Sequence, residues 1–475
     1  MSEVRVIYGP PGTGKTTRLL ELLDKELSSG VKADRIAFVS FTQEGANQGR
    51  DRALAKFGGA REDFPYFRTL HSIAFRAMGI NRSMVMSGAR FKDFSRQMGM
   101  RFLGYYTDDM KHNDDRYLFF DELYRNNRNA ALPFLDELDV DTLKFVRMNY
   151  RKYKDFFTLY DYTDMIEAFV QAKQALPVDV AFIDEAQDLT TLQWLMVWVA
   201  VRKCRRVYIA GDDDQAIFSW SGADVNYFLD VKPTAPPEIL GHSWRLPDDI
   251  LAFAKRITSQ ISRRADKPYT GRGVNGGIFT VNDVSEVTID PKETYMFLAR
   301  NNKFLDAIED TMRKQGILYT RGDKLSVSRD EIRTIKEWEE GRKGGVQFPE
   351  GSFVREQLRP DATRDTAWYD ALDWEQEKLD YYRDVMKAKT DLSKQPNVKI
   401  STFHTVKGAE ADNVIVLLDM AKRTWDHLMR DPDSEHRAFY VAVTRARKTL
   451  TIVMPSTKHF YPIFPDQKKE KRNGK

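Results

Sequence analysis

The sequence predicts an α/β protein of two doubly wound parallel-sheet lobes with a helical insertion in each. Three observations carry that prediction. Short apolar, β-branched runs alternate with helical patterns in two separate blocks of the 475-residue chain. The opening run, "VRVIYGPPGTGKT", passes straight from a strand into a phosphate-binding loop. A second apolar strand, "VDVAFIDEAQD", ends on two adjacent carboxylates. Buried strands joined by helices imply parallel pairing with helices on both sheet faces.

The first block runs through "VRVIYG", "RIAFVSF", "FRTLHS", "VDVAFIDEA" and "RRVYIAGD". The second runs through "PEILGHS", "ETYMFLAR", "NVKISTFHT", "NVIVLLDM" and "TLTIVMP". A charged, aromatic, helical stretch with few strand signals interrupts the first block. A second helical piece, from "RDEIRTIKEWEEGRKGG" to "DWEQEKLDYYRDVMKAK", interrupts the second. The expected boundaries are 1–79 and 158–232 for the first lobe, 80–157 for its insertion, 233–324 and 396–475 for the second lobe, and 325–395 for a smaller insertion. No fixed-period repeat is visible.

Composition bounds the class. A hydrophobic content of 42% and a charged content of 30% fit a folded globular chain and exclude a disordered one. The length suits about three domains. A net charge of +4 confines any basic surface to local patches. The one cysteine, Cys204, excludes an internal disulfide framework and points to a reducing, cytoplasmic compartment. It reads as a small filler ahead of "RRVYIAG". The apolar run "WLMVWVAV" at Trp194–Val201 is too short to span a bilayer and reads as a buried helix. The N-terminus, already strand and loop, reads as carrying no secretory signal, and "KKEKRNGK" as a solvated basic tail.

The chemistry begins at "GPPGTGKT", a full match to G-x-x-x-x-G-K-[ST]. Gly9, Gly12 and Gly14 let backbone N–H groups turn inward around phosphate oxygens. The helix that follows aims its positive end at the same anion. Thr13, Thr17 and Arg18 belong to the same nucleotide-binding stretch. Lys15 is expected on the β- and γ-phosphates of a nucleotide, and Thr16 on Mg²⁺. Asp184, at the end of the second apolar strand, is the expected metal carboxylate, and Glu185 the general base for an attacking water. Neutralising charge on the γ-phosphoryl group calls for arginine, with Arg245 in "HSWRLP" and Arg445 in "VAVTRARK" as candidates.

In their order, these motifs resemble the superfamily 1 helicases of the UvrD/Rep/PcrA type. "GPPGTGKTT", "FVSFTQEGANQ", "RTLHSIAFR", "YDYTDMI", "DEAQD" and "GDDDQAIFSWSGA" match its first lobe. "GHSWRLP", "FLARNN", "KISTFHTVKGAEADNVIV" and "EHRAFYVAVTRARK" match its second. The resemblance implies RecA-like lobes. It implies Gln215 as γ-phosphate sensor, Arg245 and Arg445 as arginines acting from the second lobe, and Glu410 on the nucleotide sugar. It implies Phe218 and Trp220 stacking on bases, with Phe41, Thr42, His71, Thr402 and His404 lining a single-strand track. Stacking of about 1–3 kcal/mol per base without sequence preference suits a motor on any sequence.

The chain departs from the family in several places. The family's adenine-reading glutamine element lies well upstream of the phosphate loop, and Gly9 leaves no room for it here, so the chain reads as a compact form. Trp244 is then the candidate grip on the base, stacking across from the second lobe, and GTP is expected to support some activity. Ser221 and Ala409 stand where arginine and leucine are usual. The expected function is an ATP-dependent DNA helicase moving 3′→5′ on single strands and acting at single-strand/duplex junctions. It would act as a monomer or weak oligomer with replication or repair partners, in a bacterial or phage-infected cell. Three alternatives stay open: a translocase that mainly displaces proteins, a P-loop ATPase remodelling protein partners without nucleic acid, and an RNA substrate, since no residue announces recognition of a 2′-OH.

Overall fold

A computed structural model describes residues 2–40, 43–105, 114–344, 348, 352–387 and 395–463. The chain divides into two compact units. The first comprises Met1–Arg245, Thr258–Arg272 and Asp433–Arg437, and the second Leu246–Ile257, Gly273–Pro432 and Ala438–Lys475.

The first unit is built on six strands: β1 (Glu3–Tyr8), β2 (Ile36–Val39), β3 (Tyr66–Arg68), β4 (Val180–Ile183), β5 (Arg206–Gly211) and β6 (Glu238–Ile239). Their order in the sheet is β3-β2-β4-β5-β1-β6, and every pairing is parallel. Alternation along the central strands shows why. Val6, Ala37, Val39, Ala181, Ile183, Val207 and Ile209 face one buried cluster, which includes Trp194 and Met196 of the helix Thr191–Val201. Ile7, Ile36, Phe38, Val180, Phe182, Tyr208 and Ala210 face another, with Leu19, Leu22 and Leu23 of the helix Lys15–Ser28. A sheet apolar on both faces has to be covered on both. Cys204 is buried, and burial pushes its thiol up to about 12.

One strand differs from the sequence expectation. "PEILGHS" contributes β6 to the first sheet, where Ile7 and Tyr8 pair with Glu238 and Ile239, and not to the second. It is a two-residue edge strand reached through "KPTAPP", and Leu240 N–H donates to Tyr8 O at 2.9 Å. Chain order alone could not foresee that pairing. The first unit therefore runs through Arg245.

The stretch after β3 is helical, including Gly88–Met98, Asp115–Asn126 and Val140–Phe157. It has its own core of Phe94, Phe102, Tyr117, Phe120, Leu123, Val146, Tyr150 and Tyr153. An ion cluster fastens it to the helix Tyr162–Ala172. Arg125 meets Asp161, Asp164 and Glu167 at 3.2, 2.5 and 2.7 Å, and Lys154 meets Asp161 and Asp164 at 2.5 and 2.6 Å.

The second unit carries β7 (Gly277–Val281), β8 (Tyr295–Ala299), β9 (Tyr319–Arg321), β10 (Lys324–Leu325), β11 (Val398–Thr402), β12 (Ala411–Leu417) and β13 (Ala446–Val453), in the order β10-β9-β11-β8-β12-β13-β7. Only the β9–β10 hairpin pairs antiparallel among the described strands. The helices Arg329–Gly344 and Gln376–Lys387 bury Ile335, Trp338, Leu379 and Tyr382 in the same core as Phe297, Ile400 and Ile415 of the sheet. This insertion shares the sheet's core, whereas the helical stretch of the first unit has its own. Among the described residues no helix is long and apolar enough to cross a membrane.

Candidate nucleotide site

In the first unit the chemistry gathers at the carboxyl ends of three neighbouring strands, β4, β5 and β1, where open parallel sheets bind ligands. After β1, Gly9 lies under the Lys15 side chain, and a Cβ there would stand 2.7 Å from Lys15 Cβ. Gly12 has φ +72°, and a Cβ there would stand 2.4 Å from Arg245 Cβ. Neither position has room for a side chain. Thr13 Oγ1 donates to Pro10 O at 2.8 Å, Gly14 caps the helix Lys15–Ser28 in the left-handed conformation, and Thr17 follows in its first turn.

After β4, Glu185 Oε1 lies 2.9 Å from Lys15 Nζ. Burial works against the Lys15 ammonium, but Glu185, Asp184 and Asp212 outweigh it and raise its pKa. Asp184 accepts a hydrogen bond from Thr16 Oγ1 at 3.3 Å. Burial, then the neighbouring Glu185, push the Asp184 carboxyl up to about 6. Glu185 takes a left-handed backbone, φ 53°, uncommon for a non-glycine residue and a form of strain concentrated at functional sites.

The hydroxyl of Thr16 and the carboxylate of Asp184 are hard oxygen donors at contact distance, the ligand type Mg²⁺ takes. Asp184 is 3% exposed, and burial and Glu185 raise its carboxyl against the pull of Lys15. No group of three or more His, Cys, Asp or Glu that could hold a metal occurs among the described residues. The Thr16–Asp184 pair fits Mg²⁺ held by one or two protein oxygens, with water and phosphate supplying the rest.

A buried relay joins this centre to the end of β5. Gln187 Nε2 donates to Glu185 Oε2 at 2.6 Å, Asp212 N–H donates to Gln187 Oε1 at 2.9 Å, and Gln215 Nε2 donates to Asp212 Oδ2 at 2.7 Å. Sequence reasoning passed over Gln187, although it stands two residues after Glu185, and Lys267, which carries no local signal. Beyond Gln215, Phe218 is half-buried and Trp220 is 48% exposed.

Trp244 and Arg245 belong to the first compact unit, which corrects the expectation that they act from the second lobe. Trp244 N–H donates to Gly12 O at 2.9 Å, and Ser243 Oγ donates to Pro11 O at 2.7 Å. The segment after β6 is thus bonded to the phosphate loop itself. The Trp244 indole is 74% exposed and stands edge-on to His242. Arg18 is occupied with Glu238, at 2.7 and 3.3 Å, and with Glu21 at 3.0 Å. That engagement weighs against the nucleotide contact expected of it. His71 packs edge-on against Tyr162, and burial holds its imidazole below the ordinary range. Phe41 and Thr42 lie outside the described residues.

The second unit carries the other candidates. Thr402 Oγ1 lies 3.0 Å from Thr405 Oγ1, and His404 is half-buried. Glu410 pairs with Arg447 at 3.4 Å. Arg445 is 1% exposed, and its guanidinium donates to Val441 O, Ala409 O and Thr444 Oγ1.

A family profile for the UvrD/REP helicase N-terminal domain matches residues 1–236, and one for the UvrD-like helicase C-terminal domain matches 383–457. Among curated proteins, the chain is 21% identical to an ATP-dependent DNA helicase PcrA of Staphylococcus aureus, over 70% of this chain and 50% of that protein. It is 23% identical to a probable DNA helicase of Mycoplasma pneumoniae, over 97% of this chain and 82% of that protein. It thus spans about half the length of the PcrA relatives it matches. The two profiles, the two predominantly parallel sheets and the phosphate-loop site agree: the chain belongs to the UvrD/Rep family of superfamily 1 helicases.

Proposed function

We propose that the chain is an ATP-driven motor on single-stranded DNA that moves 3′→5′ and separates duplex ahead of it. The observation that carries this reading is the Lys15–Glu185 pair set beside Thr16 and Asp184 at the ends of β1 and β4. Lys15 and Glu185 pair with each other at 2.9 Å. Phosphate arriving in the loop competes for Lys15 and frees Glu185 to take a proton from the attacking water. The Mg²⁺ that Thr16 and Asp184 would hold supplies charge neutralisation at the phosphates. Gln215, tied to Glu185 through Asp212 and Gln187, is proposed to report the state of the phosphate site along the segment that leads to Trp220. Arg245, Arg445 and Glu410 are proposed to complete the nucleotide contacts.

Trp244 supports base binding by stacking from the same unit as the phosphate loop. An exposed indole bonded through its backbone to Gly12 offers a π-face beside the phosphate loop. Phe218, Trp220, His71, Phe41, Thr42, Thr402 and His404 are proposed to line the DNA track. The names of the relatives favour DNA, and the motif set favours 3′→5′ movement.

The test is the steady-state ATPase of the full chain with and without single-stranded DNA, with Lys15→Ala as control. The reading expects DNA to raise turnover at least tenfold and Lys15→Ala to abolish it. Turnover indifferent to DNA contradicts the motor assignment, and substantial turnover in Lys15→Ala contradicts the site.

A further inference from the structure

Asp212, Asp213 and Asp214 follow one another at the end of β5, each 1% exposed or less. Three adjacent buried carboxylates demand counter-charge. Lys267, whose side chain is 0% exposed, supplies it. Its Nζ lies 2.7 Å from Asp212 Oδ1, 2.5 Å from Asp213 Oδ1 and 2.9 Å from Asp214 Oδ2. Arg264 adds two hydrogen bonds to Asp214, at 2.9 and 2.6 Å, and Ala265 N–H donates to Asp213 Oδ2 at 2.9 Å. Lys267 Nζ also stands 5.9 Å from the ring centre of Tyr8, the last residue before the phosphate loop. One ammonium therefore lies between the strand that feeds the loop and the acidic run that precedes Gln215.

The consequence lies in Asp212. Its Oδ1 accepts from Lys267 and its Oδ2 accepts from Gln215 Nε2 at 2.7 Å. A carboxylate that accepts from an ammonium at one oxygen and from an amide at the other is acting as an acceptor at both. It can take the amide NH₂ of Gln215 and has nothing to offer the carbonyl. With the amide turned over, Gln215 Oε1 would face Asp212 Oδ2 with no proton between them, an unmade hydrogen bond in a buried site. The charge on Lys267 thus decides which end of Gln215 is anchored, and leaves Oε1 as the end turned away from Asp212.

We propose that Lys267 is a positioning residue for hydrolysis: through Asp212 it fixes the Gln215 amide so that the carbonyl oxygen meets the phosphate site as an acceptor for the attacking water. This rests on the reading that Gln215 works at the phosphate site. The link from Lys267 to Gln215 runs through Asp212, which accepts from both.

The test is a double-mutant cycle on the full chain, reading kcat and KM for ATP with saturating single-stranded DNA. Lys267→Met and Gln215→Ala should each lower kcat by about 30-fold, with KM changed by less than about threefold, and the double variant should be within about threefold of either single one. Losses that multiply in the double variant overturn the positioning role, as does a kcat for Lys267→Met within about threefold of wild type. An unchanged kcat in Gln215→Ala overturns the underlying reading of Gln215 instead. Should Lys267→Met not fold by circular dichroism, Asp212→Asn probes the same link: its amide offers a donor and an acceptor and no longer dictates the orientation of Gln215. It should show the same loss and the same non-additivity with Gln215→Ala, and multiplying losses there also overturn the proposal. Arg264→Met, in the same cluster but without contact to Asp212, should melt at a lower temperature and keep kcat within about twofold. A loss of kcat in Arg264→Met equal to that in Lys267→Met would show the cluster to be structural only.

Discussion

Replacing Glu185 with glutamine keeps the shape of the side chain and removes its charge. Glu185 Oε1 lies 2.9 Å from Lys15 Nζ, with the two side chains 28% and 10% exposed. At that distance the gross attraction is about 6 kcal/mol for an effective dielectric of about 20, and desolvation offsets most of it. A net hold of about 1 kcal/mol corresponds to about fivefold in affinity for whatever competes for Lys15. Glu185→Gln should therefore bind ATP as well as wild type or up to about fivefold more tightly, because Lys15 is released. Loss of the general base should lower kcat by about 10²–10⁴-fold. Equilibrium titration with a fluorescent ATP analogue reads the first number, and single-turnover phosphate release reads the second. Binding weakened tenfold or more, or a kcat within threefold of wild type, would refute the assignment of Glu185 as base held in reserve by Lys15.

Further outcomes follow from the same geometry. Trp220→Ala should weaken single-stranded DNA binding by about 1–3 kcal/mol, read by fluorescence anisotropy, and leave the ATPase without DNA near wild type. Equal loss of both would make Trp220 a core residue. Arg125→Ala leaves Asp161, Asp164 and Glu167 without their shared partner at a side chain 14% exposed, and should cost about 3–5 kcal/mol in urea unfolding. A cost below about 1 kcal/mol would show that Lys154 alone holds the cluster. Burial lowers the His71 pKa in the folded chain, so the unfolded chain binds more protons as pH falls below about 6.5. Stability should then drop below that pH, and His71→Asn should flatten the urea midpoint there. Parallel pH curves for the two proteins would contradict the burial.

Much of this architecture is legible in the sequence because its strands are apolar on both faces. Val180–Ile183 reads as a central strand from four consecutive apolar residues, and it is one. The phosphate loop is legible because its glycines answer to contacts a side chain would block, with Lys15 over Gly9 and Arg245 against Gly12. Long-range pairing is where reading along the chain stops. Two residues, Glu238 and Ile239, carry no periodicity, and their place beside β1 brings Trp244 and Arg245 to the phosphate loop. Lys267 is as invisible in "RRADKPY", since its partners stand more than 50 residues upstream. The second insertion reads as a separate helical piece, yet Trp338 and Leu379 lie in the sheet's own core, a fact of packing that helical periodicity cannot express.

The central claim is that ATP turnover at Lys15 and Glu185 drives the chain 3′→5′ along DNA and opens duplex. The most direct measurement is unwinding of two otherwise identical duplexes, one with a 3′ single-stranded tail and one with a 5′ tail, with ATP and Mg²⁺ in the presence of a trap strand. The account predicts ATP-dependent strand release from the 3′-tailed duplex only, abolished in Glu185→Gln. Release from the 5′-tailed duplex alone, or from neither while ATP is hydrolysed in a DNA-dependent way, would contradict it.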